Sequence, residues 1–180
     1  MCIEIEAKLK VDSFAPVTEK LTQLGAEFVE DQIQTDTYFD DADKTMAAGD
    51  KCLRIRTESV GSESRTFLTF KGPRENRQFK TRKEIDVRLA DADSAYKLLS
   101  ALGYQQALIV EKNRSFWRYA GCKIGLDQLA SLGKFVEIEG PDETRIADVQ
   151  KKLGLGNLPH IPVSYATLLV AKLKEQSSGA

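Results

Sequence analysis

Little in this chain points to a disulfide framework, a histidine-built metal centre or a membrane span. The three cysteines, Cys2, Cys52 and Cys122, are odd in number, far apart and without a Cys-x-x-Cys pair. That argues against a stapled secreted domain and against a thiolate zinc site. The single histidine, His160, stands between Pro159 and Pro162 and reads as a loop residue. Charge of one sign is also missing: 26 Lys and Arg face 27 Asp and Glu, for a net charge of −1. No single-sign field covers the molecule, so nucleic acid is not expected as a partner. The N-terminus lacks a signal peptide's apolar segment, and no apolar run reaches the roughly 18 residues of a membrane span. The expected location is the cytosol, without membrane attachment. Residues 1–175 are expected to form one domain, as a monomer or homodimer, and 176–180 a disordered tail.

What the chain does have is charge, 29% of its residues, set in alternation. In Cys2 to Leu9, Glu4, Glu6 and Lys8 alternate with Ile3, Ile5, Ala7 and Leu9. A strand has period two, so the charges share one face and the apolar residues the other. Taken alone, this is an ordinary surface strand. The pattern returns, however, in Arg54/Arg56, in Phe67/Thr69/Lys71, in Arg82/Glu84/Asp86, in Lys112/Arg114, in Lys123/Gly125/Asp127 and in Glu137/Glu139. Between these strands lie helical stripes: Phe14, Val17, Leu21 and Leu24, stopped by Gly25, and Ala95, Leu98, Leu99 and Leu102, capped by Asp91 and stopped by Gly103. A third helix carries Ile146, Val149 and Leu153 after Pro141, and a last one runs over 164–174. Residues 57–64 read as a polar loop, and 72–78 as a breaker-rich loop at the barrel rim whose Arg74 and Arg77, with Lys80 just beyond, either close over a ligand or form an inert solvated turn.

The layout repeats. A shift of 78 positions lays Leu24-Gly25 on Leu102-Gly103 and Tyr38-Phe39 on Phe116-Trp117, and a shift of 68 lays Phe67–Gly72 on Phe135–Gly140. Each half is then strand, helix and three strands, giving eight antiparallel strands that can close into a barrel. The helices need an apolar sheet surface to pack on, so the apolar faces must point outward and the charges inward. A dry interior of this kind is costly, since unpaired buried ions cost several kcal/mol each. A water-filled tunnel whose ligand completes the charge balance removes the difficulty. A closed network of structural salt bridges is the alternative. Arg and Lys suit phosphate oxygens, and clustered carboxylates suit Mg²⁺ or Mn²⁺.

At this point the sequence resembles the CYTH proteins, or triphosphate tunnel metalloenzymes, over about Cys2 to Leu169. The resemblance rests on Glu4-Ile5-Glu6-Ala7-Lys8, Asp36-Thr37-Tyr38-Phe39-Asp40, Leu53-Arg54-Ile55-Arg56, Leu68–Gly72, Arg82-x-Glu84-x-Asp86, Lys112-x-Arg114, Leu126-Asp127, Phe135–Glu139 and Ser164-Tyr165, in that order. Asp86 stands where many members have Glu. The resemblance implies an α+β fold, a closed eight-stranded antiparallel β-barrel with helices packed outside, and a triphosphate-bearing substrate. It implies Mg²⁺ or Mn²⁺ on Glu4, Glu6, Asp127, Glu137 and Glu139. It implies phosphate contacts from Lys8, Arg54, Arg56, Lys71, Lys112 and Arg114, with Arg82, Glu84 and Asp86 lining the tunnel, and Lys8, Arg56, Lys71 and Lys112 as the catalytic cations. The pattern is most similar to the class IV adenylyl cyclase-like branch, which implies conversion of ATP to cyclic AMP and pyrophosphate. Hydrolysis of tripolyphosphate, thiamine triphosphate or a nucleotide is the alternative, and a non-catalytic polyphosphate-binding module is a third.

Overall fold

The alternation of charged and apolar residues builds eight strands, and these close on themselves. The computed structural model describes residues 2–75 and 78–178. Its elements are β1 (Cys2–Val11), α1 (Ala15–Gln23), β2 (Glu27–Asp40), α2 (Thr45–Ala48), β3 (Cys52–Val60), β4 (Glu63–Lys71), β5 (Lys80–Leu89), α3 (Ala92–Ala101), β6 (Gln105–Tyr119), β7 (Cys122–Leu129), β8 (Gly133–Glu139), α4 (Glu143–Lys152) and α5 (Tyr165–Ser178). The strands form one closed antiparallel barrel in the order β1-β5-β4-β3-β2-β6-β7-β8, which leaves no sheet edge. The fold expected from the sequence is the fold found.

The internal repeat is visible in the pairing register. In the β1–β5 seam Glu4 faces Arg82, and in the β2–β6 seam Gln34 faces Lys112; each residue thus meets its own counterpart 78 positions on. A pseudo-twofold axis therefore passes through both seams. Away from the seams, the Asp36–Arg56 pair of β2–β3 corresponds to the Arg114–Asp127 pair of β6–β7, with acid and base exchanged.

Three apolar clusters lie outside the barrel wall or across its end. Val17 and Leu21 of α1, with Ile146 and Val149 of α4, pack on Ala7, Leu9, Ile124, Leu126, Val136 and Ile138. Each such buried aliphatic side chain contributes about 1.5–3 kcal/mol. Ala95 and Leu99 of α3 pack on Phe39 and Ile55. Leu98 and Leu102, expected in the same stripe, are instead 58% and 64% exposed, because α3 meets the wall along a narrower line than its sequence pattern suggests. Tyr165, Leu168 and Leu169 of α5 pack with Tyr38, Leu108, Val110, Leu129 and Phe135, which places α5 over one end of the barrel.

Several local expectations are corrected. Residues 57–64 are not a loop, because β3 and β4 stay paired out to Val60 opposite Glu63. Gly61, with φ of +57°, supplies the left-handed turn between them. The short helix α2 was not anticipated; its first amides are accepted by the carboxylates of Asp40 and Asp41. Helix α4 is capped by Asp142, which accepts from the Arg145 amide at 2.7 Å, and Pro141 lies outside it. Helix α5 continues to Ser178, beyond the expected end at 174.

Candidate active site

The inward faces line a cavity of about 510 Å³. Thirteen of the fourteen expected site residues line it: Glu4, Glu6, Lys8, Arg54, Arg56, Lys71, Arg82, Glu84, Asp86, Lys112, Arg114, Glu137 and Glu139. Asp127 does not. It is completely buried inside the barrel, on the same face of β7 as the lining residues Lys123 and Gly125, and both its oxygens accept hydrogen bonds. Arg114 Nε donates to Oδ1 at 2.6 Å, while Arg114 Nη2, Lys112 Nζ at 2.9 Å and the Tyr165 hydroxyl at 2.9 Å converge on Oδ2. This geometry makes Asp127 an anchor for cations, and the other expected metal ligands Glu6 and Glu137 are likewise turned onto cations.

Asp36 does the same work in the other half. Arg56 forms a bidentate pair with it at 2.6 and 2.7 Å, and Arg54 Nη1 donates at 3.1 Å. Burial alone would push the Asp36 carboxyl up, but Arg54 and Arg56 hold it far below the usual range. Two buried carboxylates thus fix four cations on β3 and β6, the strands on either side of β2. Arg54 Nε is buried without a hydrogen-bond partner among the described residues, a donor left for a ligand.

Further cations are held more loosely. Lys71 Nζ lies 2.7 Å from Glu4 and 3.1 Å from Glu84. Lys80 meets Glu6 at 2.5 Å, and Lys8 donates to the Val163 carbonyl at 2.9 Å and sits 3.4 Å from Glu137. Burial, aided by Arg114, pushes Lys112 down to about 8, with Asp127 and Glu137 only partly opposing. Burial raises the Glu84 carboxyl despite Lys71. Burial also works against ionisation of Glu6, but Lys80, with Lys8 and Lys71, overrides it and holds the carboxyl at about 2. Surplus positive charge therefore sits around a space large enough for a polyanion.

The carboxylates Glu4, Glu6, Glu137 and Glu139 lie on the wall formed by β1 and β8, where Glu6 faces Glu139 and Lys8 faces Glu137. Their hard oxygen donors fit Mg²⁺ or Mn²⁺. Among the described residues no three of them converge as a ready-made ion site, since each is turned onto a cation.

Several lining residues were not anticipated as part of the inner wall: Glu30, Gln32, Gln34, Glu58, Arg65 and Lys80. Glu58 continues the period-two pattern of Arg54 and Arg56, a signal hidden by reading 57–64 as a loop. Tyr38 and Phe116 line the cavity, whereas Phe39 and Trp117 pack outside it. The rim segment is docked: Arg74 pairs with Asp50 at 2.8 Å and donates to the Pro162 carbonyl at 3.0 Å, and Lys80 holds Glu6. Arg77 lies outside the described residues.

Gly125 marks a close approach. A Cβ there would lie 2.8 Å from Arg114 Cζ and Nε. The Gly125→Ala variant should displace a guanidinium pinned between Asp127 and Glu137, and weaken binding of Mg²⁺-tripolyphosphate by roughly tenfold, the loss of one charge-assisted bond. Calorimetric titration showing unchanged affinity would remove Arg114 from the ligand contacts.

The comparisons with known proteins agree with this geometry. The CYTH domain profile matches residues 2–165. The chain belongs to the CYTH family. Adenylate cyclase CyaB of Aeromonas hydrophila is 31% identical over 175 residues, covering 92% of this chain and 87% of that protein. A candidate adenylate cyclase of Methanocaldococcus jannaschii is 32% identical over 150 residues, 83% of this chain and 81% of that one. The PH1819 protein of Pyrococcus horikoshii superposes with a TM-score of 0.81 at 31% identity, covering 94% of this chain and 99% of that one. CYTH enzymes are metal-dependent and act on triphosphates such as ATP.

Proposed function

We propose that this CYTH protein is an Mg²⁺- or Mn²⁺-dependent enzyme that binds a triphosphate in its barrel and converts ATP to cyclic AMP and pyrophosphate. The observation that carries the reading is the order of groups along the cavity. The cations Arg54, Arg56, Lys112 and Arg114 lie toward the end covered by α5, with the aromatic and amide side chains Phe116, Gln32 and Gln34 beyond them. Such a cavity takes the triphosphate in its depth and an organic head group outside it. The cyclase names of the two relatives support the same reading.

Arg54, Arg56, Lys71, Lys112 and Arg114 would neutralise the phosphate oxygens, and the charge that builds on the leaving pyrophosphate. Asp36 and Asp127 would hold Arg54, Arg56, Lys112 and Arg114 in place before substrate arrives, so that little reorganisation is needed at reaction. Glu4, Glu6, Glu137 and Glu139 would hold the divalent ion, which supplies activation of the nucleophile and further charge neutralisation. Binding requires these carboxylates to leave their present cations, which then turn to phosphate.

Hydrolysis at the terminal phosphorus is the second reading. A cavity of about 340 Å³ shares Glu6, Lys8 and Lys80 with the main one, which provides space for water beside the deep end. Incubation with ATP, tripolyphosphate and thiamine triphosphate, with products separated by chromatography, decides between them. Cyclic AMP and pyrophosphate are expected from ATP; orthophosphate alone would leave hydrolysis, and no product from any of the three would end both readings.

Ligand binding should also stabilise the fold, because a polyanion relieves repulsion among the clustered cations. At a concentration 100 times Kd the gain is about 2.7 kcal/mol, or roughly 5–11 °C in melting temperature for a chain of this size. A thermal scan with millimolar tripolyphosphate and Mn²⁺ that shows no shift would count against the tunnel reading.

A further inference from the structure

Five inner-wall side chains form a ring of hydrogen bonds, closed by one ion pair, between the phosphate-facing cations and the end of the barrel away from α5. Gln32 Nε2 donates to Glu30 Oε1 at 2.5 Å, and Gln34 Nε2 donates both to Gln32 Oε1 at 2.6 Å and to Glu58 Oε1 at 3.1 Å. Arg65 Nη2 closes the ring, reaching Glu30 Oε1 at 2.5 Å and Glu58 Oε2 at 3.3 Å. The ring spans β2, β3 and β4, and every member lines the main cavity. On β2 its nearest member, Gln34, is the next inward-facing residue after Asp36, the anchor of Arg54 and Arg56.

One feature gives the ring a chemical preference. Its two carboxylates are balanced, Glu30 and Glu58 by Arg65 and Glu30 also by Arg118, but Gln34 is 2% exposed and its Oε1 is buried with no partner among the described residues. Its amide cannot turn over to repair this, because Nε2 is held between two acceptors. A buried acceptor without a donor is costly, and a ligand N–H is what would satisfy it. Phe67 and Phe116 line the same cavity and present flat apolar faces suited to a heteroaromatic ring.

We propose that this ring reads the head group of the substrate, selecting triphosphates whose heteroaromatic head carries an exocyclic amine. The inference rests on the triphosphate reading above. An amine donates to Gln34 Oε1. A head with a carbonyl at that position sets oxygen against oxygen, and a bare tripolyphosphate leaves the ring unused. Adenosine and the aminopyrimidine of thiamine share the required chemistry.

The test compares ATP with purine riboside triphosphate, which lacks only the 6-amine, with thiamine triphosphate and tripolyphosphate as further arms, all with the full chain and Mn²⁺. The expected kcat/KM is at least about tenfold higher for ATP than for the amine-free nucleotide, as befits one lost hydrogen bond to a buried polar group. The Gln34→Met variant should bring that ratio toward one, chiefly through KM. If this variant does not fold, Glu30→Gln, which loosens the hold on Gln32, should lower the ratio instead. Thiamine triphosphate outrunning ATP would identify the aminopyrimidine as the head that is read. Equal kcat/KM for ATP and purine riboside triphosphate in the unmodified protein overturns the head-group inference and leaves the triphosphate reading standing. Failure to turn over any of the four compounds overturns both.

Discussion

Replacing Glu137 by glutamine should reduce turnover by about a hundred- to a thousandfold at saturating Mg²⁺ or Mn²⁺, while metal-free tripolyphosphate binds no more weakly than before. Glu137 is placed where the two effects separate. It accepts from Arg114 and lies 3.4 Å from Lys8 and 3.8 Å from Lys112. Those cations hold its carboxyl well below the usual range despite burial. Removing its charge takes away a hard oxygen donor for a divalent ion, but it also removes a repulsion against phosphate and frees three cations. A structural role alone would move stability and binding together. Glu6→Gln should behave alike, with the difference that its partner Lys80 stands on the wall shared with the second cavity. Initial-rate assays beside calorimetric titrations with and without metal check both variants. Wild-type turnover in either one, at saturating metal, would remove these carboxylates from the metal site.

The barrel was legible in the sequence because period-two alternation is written into nearly every strand, and glycine stops follow the first and second helices. Gly25 and Gly103 take positive φ after α1 and α3, as their places in the repeat suggested. The inside-out polarity was also legible, since amphipathic helices need an apolar outer wall. What the sequence did not display was partnership. Nothing in the order of residues says that Asp127 faces Arg114 across a strand pair and spends both oxygens on cations, so its carboxylate looked equivalent to Glu6 or Glu137. The β3–β4 hairpin was misread because Ser, Thr, Glu and Gly are turn-formers by composition. There the ladder to neighbouring strands decides the conformation, not local propensity. The rim basics looked free because their acceptors, Asp50 and the Pro162 carbonyl, come from distant segments.

The exchanged ion pairs related by the pseudo-twofold axis lead to the largest expected change in stability. Asp127→Ala should cost about 3–5 kcal/mol, the usual loss when one partner of a buried pair is removed, or roughly 6–20 °C in melting temperature for a chain of this size. Asp127 is the common acceptor for Lys112, Arg114 and the Tyr165 hydroxyl. Its loss leaves two buried cations and a buried hydroxyl without their main acceptor, and it loosens α5, whose Tyr165 also packs edge-on to Phe135 with ring centroids 5.2 Å apart. Burial already pushes Lys112 down to about 8 with Asp127 in place, so without that carboxylate the ammonium should lose its proton more readily still. A triphosphate can replace the missing negative charge. The increase in melting temperature on adding tripolyphosphate should therefore be larger in Asp127→Ala than in the unmodified protein, even though the variant starts lower. The same measurement on Asp36→Ala, where Arg54 and Arg56 lose their anchor, tests whether both halves of the barrel hold cations in this way. An unchanged melting temperature in Asp127→Ala, or an equal ligand shift in variant and parent, would show that Lys112 and Arg114 are not held ready for phosphate by this carboxylate.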